Sequence, residues 1–116
     1  MTEHESTLLL GIDIGTTGTK CAFYDLQGKV VAHAYEEYPM LHPWEGATEQ
    51  DPNRWWKAVQ NNLRRCFSQR GVESDRVAAI SVSCTNAMTL VDEQGTPLYN
   101  AIGHHDQRAD AQVAWL

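Results

Sequence analysis

The residues with the clearest capacity for chemistry lie in one short stretch. Asp13 follows the apolar run Leu8-Leu9-Leu10-Gly11-Ile12 and precedes Ile14-Gly15-Thr16-Thr17-Gly18-Thr19-Lys20. Strand alternation puts Leu8, Leu10, Ile12 and Ile14 on one face, and Leu9, Gly11 and Asp13 on the other. An acid in such a strand needs a partner, and the residues after it supply the ingredients of an anion site. Gly15 and Gly18 allow a tight turn and close approach of a ligand, while Thr16, Thr17 and Thr19 offer hydroxyls and main-chain N–H groups. A carboxylate beside such a cradle points to Mg²⁺, which bridges phosphate oxygens and takes only one or two carboxylates from a protein. The plain alternative is a buried strand ending in a Gly-Thr turn, with Asp13 capping backbone N–H groups.

Two familiar phosphate motifs do not fit. A Walker loop needs Gly-Lys-Ser/Thr, whereas Thr19 separates Gly18 from Lys20; a dinucleotide fingerprint needs a glycine where Asp13 stands. The turn also leads into a strand. Residues from about Thr19 to Asp25 and from about Val30 to Glu37 read as a second and third strand, joined by a hairpin loop over Asp25-Leu26-Gln27-Gly28. The segment Pro39–Gly46 is a proline- and glycine-bearing loop. Asp51 and Pro52 then form a helix start, N-cap followed by first position. Trp56, Val59, Leu63, Cys66 and Phe67 make the expected apolar stripe, Trp55 and Trp56 are expected to pack, and Gly71 ends the helix.

Val77–Cys84 reads as a strand buried on both faces and parallel to an earlier one, reached through a strand-helix-strand crossover. Thr85 to Met88 interrupts the pattern, Thr89–Asp92 resumes it as strand, and Glu93–Pro97 is a turn. Ala101 to Asp106 is expected to end as a strand with His104 and His105 on opposite faces, which sets them against joint metal binding. A helix follows from Gln107. Two polar places follow strands: Cys84 to Met88, able to hydrogen-bond hydroxyls, and His104 to Arg108. Asn86 could equally be a turn residue, and Asp106 a helix cap with Arg108 on the surface.

With 116 residues and 42% hydrophobic content, the chain has the size of one domain. Its formal charge of −6, with scattered Lys and Arg, argues against nucleic-acid or anionic-membrane partners. No apolar run approaches the roughly 18 residues that cross a bilayer. Residues 1–6 are polar, unlike a signal peptide, and are expected to be disordered. The 3 cysteines, Cys21, Cys66 and Cys84, are odd in number and widely spaced, so free buried thiols in a cytoplasmic protein are expected.

A phosphate-wrapping hairpin with aspartate ending its first strand resembles the nucleotide-binding domain of the actin and sugar kinase superfamily. Within it, Gly11-Ile-Asp13-Ile-Gly15-Thr-Thr-Gly-Thr-Lys20 resembles the opening of the FGGY carbohydrate kinases. Glu49-Gln-Asp51-Pro52 and the Asp106-x-Arg108 segment are similar to the family's in type and order. The resemblance implies an α/β, actin-like (ribonuclease H-like) fold, with residues 7–116 forming the first part of an N-terminal domain. It also implies transfer of the γ-phosphoryl group of ATP to a sugar or polyol hydroxyl with Mg²⁺.

On that resemblance Asp13 serves the metal, and Gly15, Thr16, Thr17, Gly18 and Lys20 the phosphates. Asn86, Ala87, Asp106 and Arg108 lie near the sugar. The catalytic base and adenine pocket would lie in later segments, so this stretch alone is expected to be inactive and, with apolar surface uncovered, to self-associate. The Arg-Glu pair of glycerol kinases is missing near Asn86 and Ala87, and the Met-His pair of xylulose kinases is replaced by Thr85-Asn86. A tryptophan often found two residues before the Asp-x-Arg aspartate is His104 here. A pentulose such as xylulose is placed first, then ribulose, gluconate and glycerol. Two other classes stay open: a non-catalytic actin-like module that binds nucleotide or a partner, and a ribonuclease H-like nuclease, which would need more strand-end carboxylates than Asp13, Asp92 and Asp106 offer.

Overall fold

A computed structural model describes residues 7–84 and 87–116. These group into two compact units, residues 7–38 with 55–84, and residues 39–54 with 87–116. The expectations for residues 1–6, Thr85 and Asn86 lie outside the described residues.

The first unit is a four-stranded sheet under one helix. Strands β1 (Leu8–Ile14), β2 (Gly18–Tyr24) and β3 (Val30–Glu37) run antiparallel in sequence, and β5 (Val77–Cys84) adds parallel to β1, giving the order β3-β2-β1-β5. Glycine at positive φ (80°) supports the turn between β2 and β3, where Asp25 Oδ1 accepts from the N–H groups of Gln27 and Lys29. Helix α1 (Pro52–Phe67) starts as its sequence predicts, with Asp51 Oδ1 accepting from Asn53 N–H at 2.9 Å, and it closes before Gly71 at φ 89°. Leu8, Leu10 and Ile12 of β1 meet Cys21, Phe23, Ala32, Ala34, Val59 and Cys66 in one core, so the predicted face of β1 is the buried one.

Three expectations fail here. The helix stripe is rotated from the predicted one: Ala58, Val59, Asn62 and Cys66 are buried, whereas Trp56 is 64% exposed. Periodicity counted Trp56 as apolar and passed over Asn62, although spacing of three and four residues places Asn62 in line with Val59 and Cys66. Strand β5 is mostly exposed instead of covered on both faces. It is a sheet edge; Ile80 and Val82 share the helix-side face of their register partners Leu10 and Ile12, yet they stand 63% and 59% exposed. Cys84, at its end, is an exposed thiol, whereas Cys21 and Cys66 are buried as expected. Burial pushes the Cys21 thiol up to about 11 and raises that of Cys66.

The second unit is built on a small sheet of β4 (Glu49–Gln50), β7 (Ala101–Gly103) and β6 (Ala87–Met88), antiparallel at both contacts. Thr48, Glu49 and Gln50 are all buried, so the segment read as the approach to a helix is in fact a short interior strand. Thr89–Asp92 is not a strand. Only an isolated bridge, Val91 to Pro97, forms there, because Asp92 Oδ1 turns back to accept from Gln94 and Thr96 N–H groups around Gly95. The last helix, α2 (Asp110–Val113), is one short turn, and its N-cap position is Ala109 and not Asp106. Strand β7 ends at Gly103, so His104 and His105 lie in a turn with ring centroids 3.9 Å apart, not on opposite faces of a strand. Among the described residues no helix is long and apolar enough to cross a membrane.

Candidate functional site

The glycine turn joins β1 to β2 and feeds no helix, as its sequence requires. Asp13 and Lys20 are direct cross-strand partners on the open face of the sheet. Together with Gly11, Ala22, Tyr24, Ser81 and Ser83 they line a groove of about 220 Å³. The Asp13 side chain is exposed, and among the described residues no hydrogen bond or ion pair engages it. That removes the reading in which Asp13 caps backbone N–H groups. Among the described residues no cluster of three or more His, Cys, Asp or Glu is gathered. A single uncommitted carboxylate is nevertheless what a largely hydrated Mg²⁺ requires, so the donor set fits that ion.

The glycines of the turn owe their place to space and not to φ, since neither Gly15 nor Gly18 has positive φ. A Cβ on Gly18 would lie 2.5 Å from the Glu36 carbonyl oxygen and 2.7 Å from the Tyr35 ring; one on Gly15 would lie 3.1 Å from the Gly18 carbonyl. Gly15 N–H closes the turn on Gly18 O at 2.9 Å. Tyr38, which the sequence reading did not single out, lies against the same turn. Its hydroxyl donates to Gly15 O and its N–H to Thr17 O. From the helix side, the fully buried Asn62 donates from Nδ2 to Thr19 O at 2.8 Å.

In the second unit, Ala87, Asp106 and Arg108 come together. With Met88, Ile102, Gly103, His104 and Ala109 they line a cavity of about 680 Å³. The Asp106 carboxylate is fully occupied. Oδ1 accepts from Arg108 N and Nε, and Oδ2 from Arg108 Nη2 and Thr48 N. Arg108 Nη2 also reaches Glu49 Oε1 at 2.7 Å, and its guanidinium lies 4.9 Å over the Trp44 ring. Glu49, 1% exposed, accepts in addition from Tyr99 OH and Asn100 Nδ2. Hydrogen bonding from Arg108 holds both carboxyls below their ordinary range, outweighing burial, and these carboxylates in turn raise Arg108. The resulting arrangement is a rigid guanidinium beside a cavity, carried by two acids.

Residues 8–116 match the model of the FGGY family of carbohydrate kinases, N-terminal domain. The chain belongs to this family. A glycerol kinase from Haloferax volcanii is 35% identical over 112 residues, which is 95% of this chain and 22% of that protein. Among solved structures, a xylulose kinase from Rhodospirillum rubrum superposes with a TM-score of 0.85 at 33% identity, covering 93% of this chain and 22% of the other. A gluconate kinase from Lactobacillus acidophilus gives 0.82 at 30% identity, with 93% and 22% coverage. The chain thus spans about a fifth of the length of these FGGY relatives and shares their actin-like α/β fold.

Two residues of this FGGY chain's polar framework escaped the sequence reading for a common reason. Glu49 is read as part of a helix opening because it sits two residues before Asp51-Pro52, and Tyr38 as a strand end beside Pro39. A signal existed for Glu49, since an acid two residues before a capping aspartate adds charge that a helix start does not need. None existed for Tyr38.

Proposed function

We propose that the protein containing this chain is a cytoplasmic ATP-dependent carbohydrate kinase that phosphorylates a hydroxyl of a sugar or polyol. The observation that carries the reading is the exposed, unpaired Asp13 facing Lys20 at the end of a strand-turn-strand phosphate cradle. Asp13 holds Mg²⁺ or its water, and Gly15, Thr16, Thr17 and Gly18 present amides and hydroxyls to phosphate. Lys20 adds positive charge. When bound, Mg²⁺ offsets the charge on the phosphate oxygens, and these residues contribute chiefly by positioning and charge neutralisation. No residue of this chain is assigned as catalytic base. In the second unit Ala87 and Arg108 face the substrate, while Asp106 contributes by fixing Arg108 and not by meeting a hydroxyl itself; Asn86, outside the described residues, is assigned to the substrate on the family resemblance alone.

For the substrate we place a pentulose first, then gluconate and glycerol, because the Arg-Glu pair of glycerol kinases is missing near Asn86 and Ala87. A coupled ADP-release assay on the full-length protein with xylulose, ribulose, gluconate and glycerol tests both levels. Turnover of at least one is expected, with none from residues 1–116 alone. Nucleotide binding without turnover of any would replace the kinase by a non-catalytic actin-like module, and faster turnover of glycerol than of the pentuloses would reverse the substrate order.

A further inference from the structure

The turn between β1 and β2 departs from an ordinary two-residue hairpin. Such a hairpin pairs its flanking residues through two backbone bonds. Here Gly15 N–H reaches Gly18 O at 2.9 Å, and among the described residues the reciprocal bond from Gly18 N–H to Gly15 O is not made. The Gly15 carbonyl is engaged instead by the hydroxyl of Tyr38, a residue only 8% exposed. Because that hydroxyl spends its one proton on Gly15 O, the Thr19 hydroxyl, 3.3 Å away and fully buried, is the donor in the Thr19–Tyr38 pair. Tyr38 also gives its own N–H to Thr17 O at 3.2 Å. In a trans peptide the carbonyl and the following N–H point opposite ways. Holding Thr17 C=O toward Tyr38 therefore turns Gly18 N–H away from β3.

We infer that Tyr38 is a positioning residue that keeps the phosphate turn open, occupying Gly15 O so that the Gly18 amide stays directed at bound phosphate. This rests on the kinase reading above. The other two features of the turn agree with it. Gly18, itself buried, carries no side chain because Glu36 O and the Tyr35 ring fill the space behind it, so only main-chain groups can be offered at this position. Asn62 fixes Thr19 O from below, so the turn cannot relax by sliding β2. Without the Tyr38 hydroxyl, Gly15 O is left short of a donor, and Gly18 N–H is the one that an ordinary two-residue hairpin would supply. Making that bond closes the turn and withdraws the amide from the ligand.

The test uses Tyr38→Phe and Thr19→Val in the full-length protein. Calorimetry should show ADP binding weakened about tenfold in Tyr38→Phe, the value of one charge-assisted hydrogen bond. Adenosine, which has no phosphate, should bind as in the wild type, and the KM for sugar should not move while that for ATP rises. Thr19→Val, which removes only the donor to Tyr38, should give a smaller loss in the same sense and carries the test if Tyr38→Phe does not fold. ADP affinity within twofold of wild type, or equal weakening of ADP and adenosine, overturns the role of Tyr38. Absence of any sugar phosphorylation by the wild type overturns the kinase reading instead, while the comparison of ADP with adenosine still decides the role of Tyr38.

Discussion

Gly18→Ala should damage the first unit far more than Gly11→Ala, although both glycines lie in neighbouring strands of the same motif. An alanine Cβ at position 18 falls 2.5 Å from Glu36 O and 2.7 Å from the Tyr35 ring atoms, nearly an ångström short of the 3.4 Å at which ordinary contact begins. Tyr35 is 43% exposed and can swing aside. Glu36 O cannot, because its residue pairs with Thr19 in the β2–β3 ladder and its side chain is tied to Asn61 and Arg65. Overpacking that forces backbone to shift costs up to about 3 kcal/mol, and we expect the upper end of that range. At position 11 the added methyl meets Tyr24 at 3.7 Å and Ala22 O at 4.0 Å, both ordinary contacts. Replacing a strand glycine there lowers unfolded-chain entropy and should gain about 0.5 kcal/mol. Native-state hydrogen exchange at the Cys21 and Phe23 amides measures both on one scale. A Gly18→Ala protein within about 0.5 kcal/mol of wild type, the spread of an innocuous surface change, would refute the steric argument.

The second unit should loosen in acid. Glu49 and Asp106 have lowered pKa values in the folded state, so their contribution is complete above the unfolded values near 4 and is lost as pH falls toward the folded ones. Protection of the Thr48 and Gly103 amides, corrected for intrinsic exchange rate, should therefore decline below about pH 4; flat protection down to pH 3 would count against the network. Separately, the raised pKa values and burial of Cys21 and Cys66 predict slow alkylation at pH 8 in the folded protein and fast alkylation in urea. Peptide mapping that finds either one labelled equally fast under both conditions would show that the core is open.

The first unit was legible because each of its elements carries a period. Leu8, Leu10 and Ile12 alternate, Val59 and Cys66 recur at helical spacing, and Gly28 and Gly71 mark chain reversals where φ is positive. Where sequence misleads in this unit, composition stands apart from burial. Val77–Cys84 is apolar enough to be covered on both sides, but burial depends on what lies against a strand, and among the described residues β5 has one neighbour in the sheet while Ile80 and Val82 stay exposed. Asn62 shows the converse. A polar residue at a core position carries no periodic signal, and its purpose appears only when its amide is seen on Thr19 O.

The second unit was hard to read because polar contacts across long stretches of sequence hold it together. Glu49 meets Tyr99, Asn100 and Arg108, and Asp106 meets Thr48, separations of 50 to 59 residues that no local pattern reveals. The sequence singles out Asp106 and Arg108 without separating their roles. Four hydrogen bonds converge on the Asp106 oxygens from Thr48 and Arg108, which leaves this carboxylate little capacity for a ligand. Its value lies in the angle at which it holds the guanidinium, an angle that Glu49 and the Trp44 ring fix from two further sides. A residue type can therefore suggest a site while leaving its role unstated, because the role depends on which lone pairs the fold has already used.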